Sequence, residues 1–245
     1  MVGIQRCDLL VVHWIVVVAL LAASIVGCEQ ITSSQAVDSE SGHSVASQIQ
    51  DVQSGHAHQL VAAEPFVADN WNAIRGLKGL KTLVLTAGAA NDSDVEVIAT
   101  LPDIQRLVLR HSPLSDKGMK VLSHCRTLRD VNVPQAACSS SGLRLLGSLP
   151  HLQHLRIGAS TLRGPEVCEA VVTLSHLRTL HLIDIDIGDE GLDVLSGRPD
   201  LWSLYLDGAG VSDVAWERYF EKCPNVHVHI DQRHHDRDPL VGHEQ

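Results

Sequence analysis

The chain has 245 residues, 44% of them hydrophobic and 20% charged, enough to bury one substantial core. Aromatic residues are only 3%, so that core is built from Leu, Val and Ile, which suits short stacked units better than a globule set around a few large anchors. A net charge of −10, a pI near 5.8 and the lack of any basic run longer than two residues exclude a general nucleic-acid binder, which needs clustered Lys and Arg to release counterions.

Residues Leu9 to Ser24 are an apolar stretch behind the single basic residue Arg6, closed by Ile25-Val26-Gly27-Cys28. That ending resembles the lipobox of bacterial lipoprotein signals, which implies that Cys28 is lipidated and becomes the mature N-terminus. Leu9 to Gly27 is also long enough to cross a bilayer of roughly 30 Å, so an uncleaved membrane anchor is the alternative. With residues 1–28 as signal peptide or as anchor, both readings tether the folded domain to a membrane. Residues 29–64 are rich in Ser, Gln, Ala and His and contain neither Lys nor Arg. A stretch so poor in large apolar side chains cannot offset its ordering entropy, and a flexible acidic linker is expected, with His43, His56 and His58 as its scattered histidines.

From residue 65 to 231 the chain repeats. Apolar residues recur at spacings of three, three and two in Leu77-Leu80-Leu83-Leu85, Leu101-Ile104-Leu107-Leu109, Cys125-Leu128-Val131-Val133, Leu149-Leu152-Leu155-Ile157 and Leu174-Leu177-Leu180-Leu182. Arg198-Leu201-Leu204-Leu206 and a degenerate Cys223-Val226-Val228-Ile230 follow, giving about seven repeats with a period of 24 and one step of 25. The last two apolar positions alternate with period two, which makes a short strand with its aliphatic side chains turned inward. A further apolar residue lies five positions on, at Ala90, Leu114, Cys138, Leu162, Ile187 and Val211, and a run with helical spacing then begins, as in Met119 and Leu122 or Leu192 and Leu195. Ser93, Ser115, Ser139 and Ser212 precede such runs as expected helix caps. Phe66, Val67, Trp71 and Ile74 are expected to cap the start, Trp216, Tyr219 and Phe220 to enlarge the last helix, and residues 232–245 to form a polar tail.

This pattern resembles the leucine-rich repeat family. Leu114-Ser115-Asp116-Lys117-Gly118-Met119 and Ile187-Gly188-Asp189-Glu190-Gly191-Leu192 are similar to its cysteine-containing, ribonuclease-inhibitor-like types, which place a Cys where Cys125 and Cys223 stand. The resemblance implies an α/β fold: a leucine-rich-repeat solenoid, a right-handed horseshoe with a parallel β-sheet on the concave face and helices on the convex face. It also implies that ligands bind on the concave face. Cys125, Cys138, Cys168 and Cys223 are expected to be buried thiols, with only Cys168 near a helix flank, and the chain has no CxxC.

Strand residues flanking the inward leucines face outward. Those with binding chemistry are Arg106, Arg110, Asp130, Asn132, His154, Arg156, His181, Tyr205 and Asp207. The three arginines make a local positive patch, and the remainder of an outward face is expected to be polar for solvation alone. His181, His227 and His229 are weak metal candidates, and no cofactor is expected. No nucleophile elbow, HExxH or P-loop is present, so no enzymatic activity is expected. The expectation is a membrane-tethered interaction module of a bacterial cell envelope that binds a protein or a glycan and no nucleic acid. A structural, self-assembling role is the alternative, and a metal-binding protein a third.

Overall fold

A computed structural model describes residues 44–87 and 90–234. The lipobox, with Cys28, and the apolar segment before it lie outside the described residues, as does most of the polar tail. No helix among the described residues is long and apolar enough to cross a membrane.

Strand and helix alternate along the chain: α1 (Val45–Gln53), β1 (Gln59–Ala62), α2 (Ala68–Ile74), β2 (Thr82–Leu85), α3 (Asp92–Ile98), β3 (Arg106–Leu109), α4 (Asp116–Leu122) and β4 (Asp130–Ala136). Then come α5 (Ser140–Leu145) with a 3₁₀ turn, β5 (His154–Ala159), α6 (Pro165–Val172), β6 (Thr179–Leu182), α7 (Gly188–Leu195), β7 (Ser203–Leu206), α8 (Asp213–Lys222), β8 (His227–Ile230) and β9 (Arg233–His234). The nine strands of the described residues join one sheet in sequence order. β1 to β8 are parallel, with each strand paired in equivalent register to the next: Leu83 with Leu107, Leu155 with Leu180, Leu204 with Val228. The register shifts once, between Val133 and Ala136 of β4, beside Pro134, which has no N–H to donate to the ladder.

Each repeat delivers its two strand leucines to the core: Leu83 and Leu85, Leu107 and Leu109, Leu180 and Leu182, and Leu204 and Leu206 are fully buried. Successive helices pack on one another across the opposite side. Strands are spaced by roughly 4.8 Å and packed helices by roughly 8–10 Å, so a stack of such units curves with its sheet inside.

The helix starts also link neighbouring repeats. Ser115 caps α4, and its own N–H and hydroxyl donate to the carboxylate of Asp92, the first residue of α3. Asp116 accepts in the same way from Ser139 N and Oγ, both at 2.7 Å, and Asp189 from Ser212 N and Oγ, both at 2.7 Å. The cap of α3 is Asn91, in a capping box with Asp94, and Ser93 lies inside the helix.

Three expectations are corrected. Part of the linker assigned to residues 29–64 is folded: α1 buries Ile49 and Val52, and β1 buries Leu60 and Ala62 beside β2. Gln48 fastens the two elements, its amide donating to Val61 O at 2.9 Å and accepting from Val61 N at 2.8 Å. The solenoid therefore begins near Val45. It also runs past 231, because Arg233 and His234 form β9. Cys168 is fully buried rather than on a flank, and Cys125, Cys138 and Cys223 are buried free thiols as expected.

Arg198 stands where other repeats place Leu or Cys, and it is buried too. Its guanidinium donates to Leu174 O and Leu177 O of the preceding repeat and, through Nε and Nη2, to Asp200 at 2.8 and 3.0 Å. A hydrogen-bonded fork thus replaces an aliphatic side chain.

Candidate functional site

Equivalent register turns positions spaced by one repeat into columns across the sheet. One column runs Val84, Val108, Asn132, Arg156, His181, Tyr205 and His229, and the next runs Arg106, Asp130, His154, Thr179, Ser203 and His227. Every strand residue expected on the outward face falls in these columns or at the strand ends just beyond them.

The arginines do not act alike. Arg106 Nε pairs with Asp130 Oδ2 at 3.2 Å, so much of its charge is neutralised. Burial pushes the Asp130 carboxyl above its ordinary range, against the pull of Arg106 and His154. Arg110 and Arg156 make no ion pair among the described residues. Arg156 is held below the usual guanidinium range, first by burial and then by the like charge of Arg110, with Asp207 opposing. The cationic centre is therefore Arg110 and Arg156, two strands apart.

Arg156 Nε donates to His181 Nδ1 at 3.2 Å, and His181 Nε2 lies 2.8 Å from Asp207 Oδ2. Because Nδ1 accepts, Nε2 must carry the proton and donate it to the carboxylate, which fixes one tautomer of a neutral imidazole. Burial lowers the His181 pKa and Arg156 lowers it further, while the hydrogen bond and charge of Asp207 raise it. Beyond His181 the column is aromatic. The His181 and Tyr205 rings have centroids 5.4 Å apart, and Tyr205 stacks on His229 at 4.5 Å.

Neither the solvated character expected of this face nor the metal role considered for His181 fits the geometry. Thr179, His181, Tyr205, Asp207, His227 and His229 are all buried, because flat rings at strand spacing cover one another. His181 has both ring nitrogens engaged, which leaves neither for a metal. In mid-sheet, Asn132 Oδ1 and His154 Nδ1 are buried with no hydrogen-bond partner among the described residues.

His227 and His229 lie side by side, with Nε2 atoms 2.7 Å apart, and His234 joins them from β9. A domain end at Asp231, as expected from the repeat, leaves out His234. The signal was present in the two-residue spacer Asp231-Gln232, which separates an alternating strand from a further His. A shallow depression lined by Lys120, Ser123, His124, Arg126, Leu145 and Ser148 shares no residue with the strand columns.

No family model matches the chain, and no curated protein does. Among solved structures, the crystal structure of an internalin from Listeria monocytogenes is similar at 16% identity with a TM-score of 0.41. That match covers 71% of this chain and 58% of the internalin, so the chain spans less than two thirds of that protein's length. What identifies the fold is the chain's own strand register, set by a 24-residue period: the described residues form an α/β leucine-rich-repeat solenoid.

Proposed function

We propose that this protein is a binding module that takes the anionic group of a protein or glycan partner on its strand face, with Arg110 and Arg156 as the charged anchor. The observation that carries this reading is the pair of guanidinium groups without ion-pair partners among the described residues, on a chain of net charge −10. Two cations held near one another on a part-buried face repel, and an anion between them relieves that cost. The Arg156, His181 and Asp207 chain fixes the anchor's direction, so less side-chain entropy is lost on binding.

The N-terminal segment would hold the module at a bacterial envelope membrane, through a lipid on Cys28 or through the apolar segment itself. Labelled palmitate incorporated by the wild type and lost in Cys28→Ala supports the lipid, and equal labelling of the two excludes it. The binding reading is tested by capture from envelope extract with the wild type and with an Arg110→Ala, Arg156→Ala double variant. Capture lost in the double variant and kept in Arg106→Ala, whose charge Asp130 already meets, supports it. Equal capture by all three, or concentration-dependent self-association indifferent to these changes, refutes it and favours a self-assembling envelope protein.

A further inference from the structure

We propose that His227, His229 and His234 form a three-imidazole site for a divalent transition-metal ion, zinc foremost, built by the turn that ends the sheet. This inference is independent of what the arginines bind.

The site is assembled by backbone geometry. His227 and His229 are two apart on β8 and so share a face. After Ile230 the chain reverses through Asp231 and Gln232 with φ of 48° and 65°, the left-handed pair of a two-residue type I′ hairpin. Asp231 anchors that turn, its Oδ1 accepting from Gly208 N at 2.9 Å. The return strand pairs Arg233 with Ile230 and His234 with His229, which sets the third ring beside the first two.

The three rings are arranged as a metal set. Their centroids are 4.6 Å apart for His227 and His229, 5.0 Å for His227 and His234, and 4.1 Å for His229 and His234, with planes at 76°, 59° and 45°. One nitrogen from each ring lies within 4.8 Å of the others. At a metal–nitrogen distance of 2.0–2.1 Å, tetrahedral nitrogens sit roughly 3.3 Å apart and their ring centres roughly 5 Å apart. Small ring movements therefore suffice. His227 and His229 part by about 0.6 Å as the ion replaces the proton between their Nε2 atoms, and His234, exposed on a two-residue strand, closes in.

Among the described residues the donors are imidazoles, without a carboxylate or thiolate, which suits zinc, copper or nickel and not calcium or magnesium. Tyr205, stacked on His229, holds one ligand ring in place. Two buried ligands and one exposed leave a fourth position open to water.

The test is isothermal titration of the full chain, stripped by chelator, with zinc chloride, together with cobalt(II) absorption as a reporter of tetrahedral nitrogen ligation. We expect one site of micromolar or tighter affinity in the wild type. His234→Gln, at an exposed position, should weaken it by at least about tenfold. His227→Gln and His229→Gln should do the same in variants whose circular dichroism shows an intact fold, and His124→Gln should leave it unchanged. Absence of binding in the wild type, or equal affinity in His234→Gln, overturns the proposal. Loss of binding on removing the residues after 234, with His234→Gln unaffected, places the ion on the tail and overturns it equally.

Discussion

Gly142→Ala is the sharpest probe of how the repeats are joined. A Cβ built at Gly142 would lie 2.1 Å from Asp116 Oδ1, 2.8 Å from its Cγ and 3.1 Å from its Cα. Asp116 cannot retreat freely, because the same carboxylate accepts from Ser139 N and Oγ at the start of α5. Overpacking of this kind costs roughly 1–3 kcal/mol. Loss of the two hydrogen bonds adds about 1 kcal/mol each, and Ala returns about 0.5–1 kcal/mol in helix propensity. The expected net loss is about 2–4.5 kcal/mol, or roughly 4–18 °C in Tm for a domain of this size. A double-mutant cycle with Asp116→Ala isolates the cause. With the carboxylate gone, Gly142→Ala should cost under about 0.5 kcal/mol or become stabilising. Urea midpoints of the wild type, both single variants and the double variant complete the cycle. Additive losses would refute the reasoning, since they would mean that the glycine is needed for something other than room for Asp116.

A chain starting at residue 64 should be unstable, because Ile49, Val52, Leu60 and Ala62 leave the core. At roughly 1.5–3 kcal/mol for each of the three larger side chains, the loss approaches the whole stability of a domain; an unchanged urea midpoint would return residues 45–62 to a linker role. Native Cys125, Cys138 and Cys168 should resist alkylation, since burial pushes their pKa values up to about 11, 12 and 12, and they should react once unfolded. Mass mapping of labelled peptides checks this, and rapid native labelling counts against it. His181 should titrate below the ordinary imidazole value of 6.5, mainly because it is buried. The unfolded chain then takes up a proton that the folded one refuses, so stability is full above about pH 6.5, falls with pH through the interval between the two pKa values, and is level below the folded one. NMR titration of His181 at or above the free value would exclude that contribution.

The period of the sequence carried the fold because every strand leucine lies at one phase of it, and burial of Leu83, Leu107, Leu155 and Leu180 follows from phase alone. The ends did not follow, for a physical reason. Terminal repeats pack on one neighbour only, so their constraints relax: β1 offers Ala62 where the others have Leu, Ile or Val, and β9 is two residues of an antiparallel return. Composition therefore points to a linker in a Ser- and Gln-rich stretch whose few apolar residues, Ile49, Val52, Leu60 and Ala62, reach the core. The outward residues fall in columns that alternation sets, but alternation does not give their partners. Arg106 with Asp130 and His181 with Asp207 depend on side-chain reach between strands, which phase does not encode.

The columns also explain why polar chemistry survives burial here. Parallel strands in equivalent register bring residues one repeat apart to roughly 4.8 Å, close to the thickness of an aromatic ring plus its contact distance. In a His, Tyr, His succession the His181 ring then tilts over Tyr205 and Tyr205 stacks on His229, while the imidazole edges meet Arg156, Asp207 or another His. At the opposite end the same column holds Val84 and Val108, which stack equally well and present no polar edge. One geometric rule thus gives this face an apolar beginning, a cationic middle at Arg110 and Arg156, and an imidazole-rich end. Since the column is a chain of contacts, a change at Tyr205 should reach both neighbours. Tyr205→Ala opens the stack on each side, which should loosen the Arg156 anchor through His181 and the three-histidine cluster through His229 together.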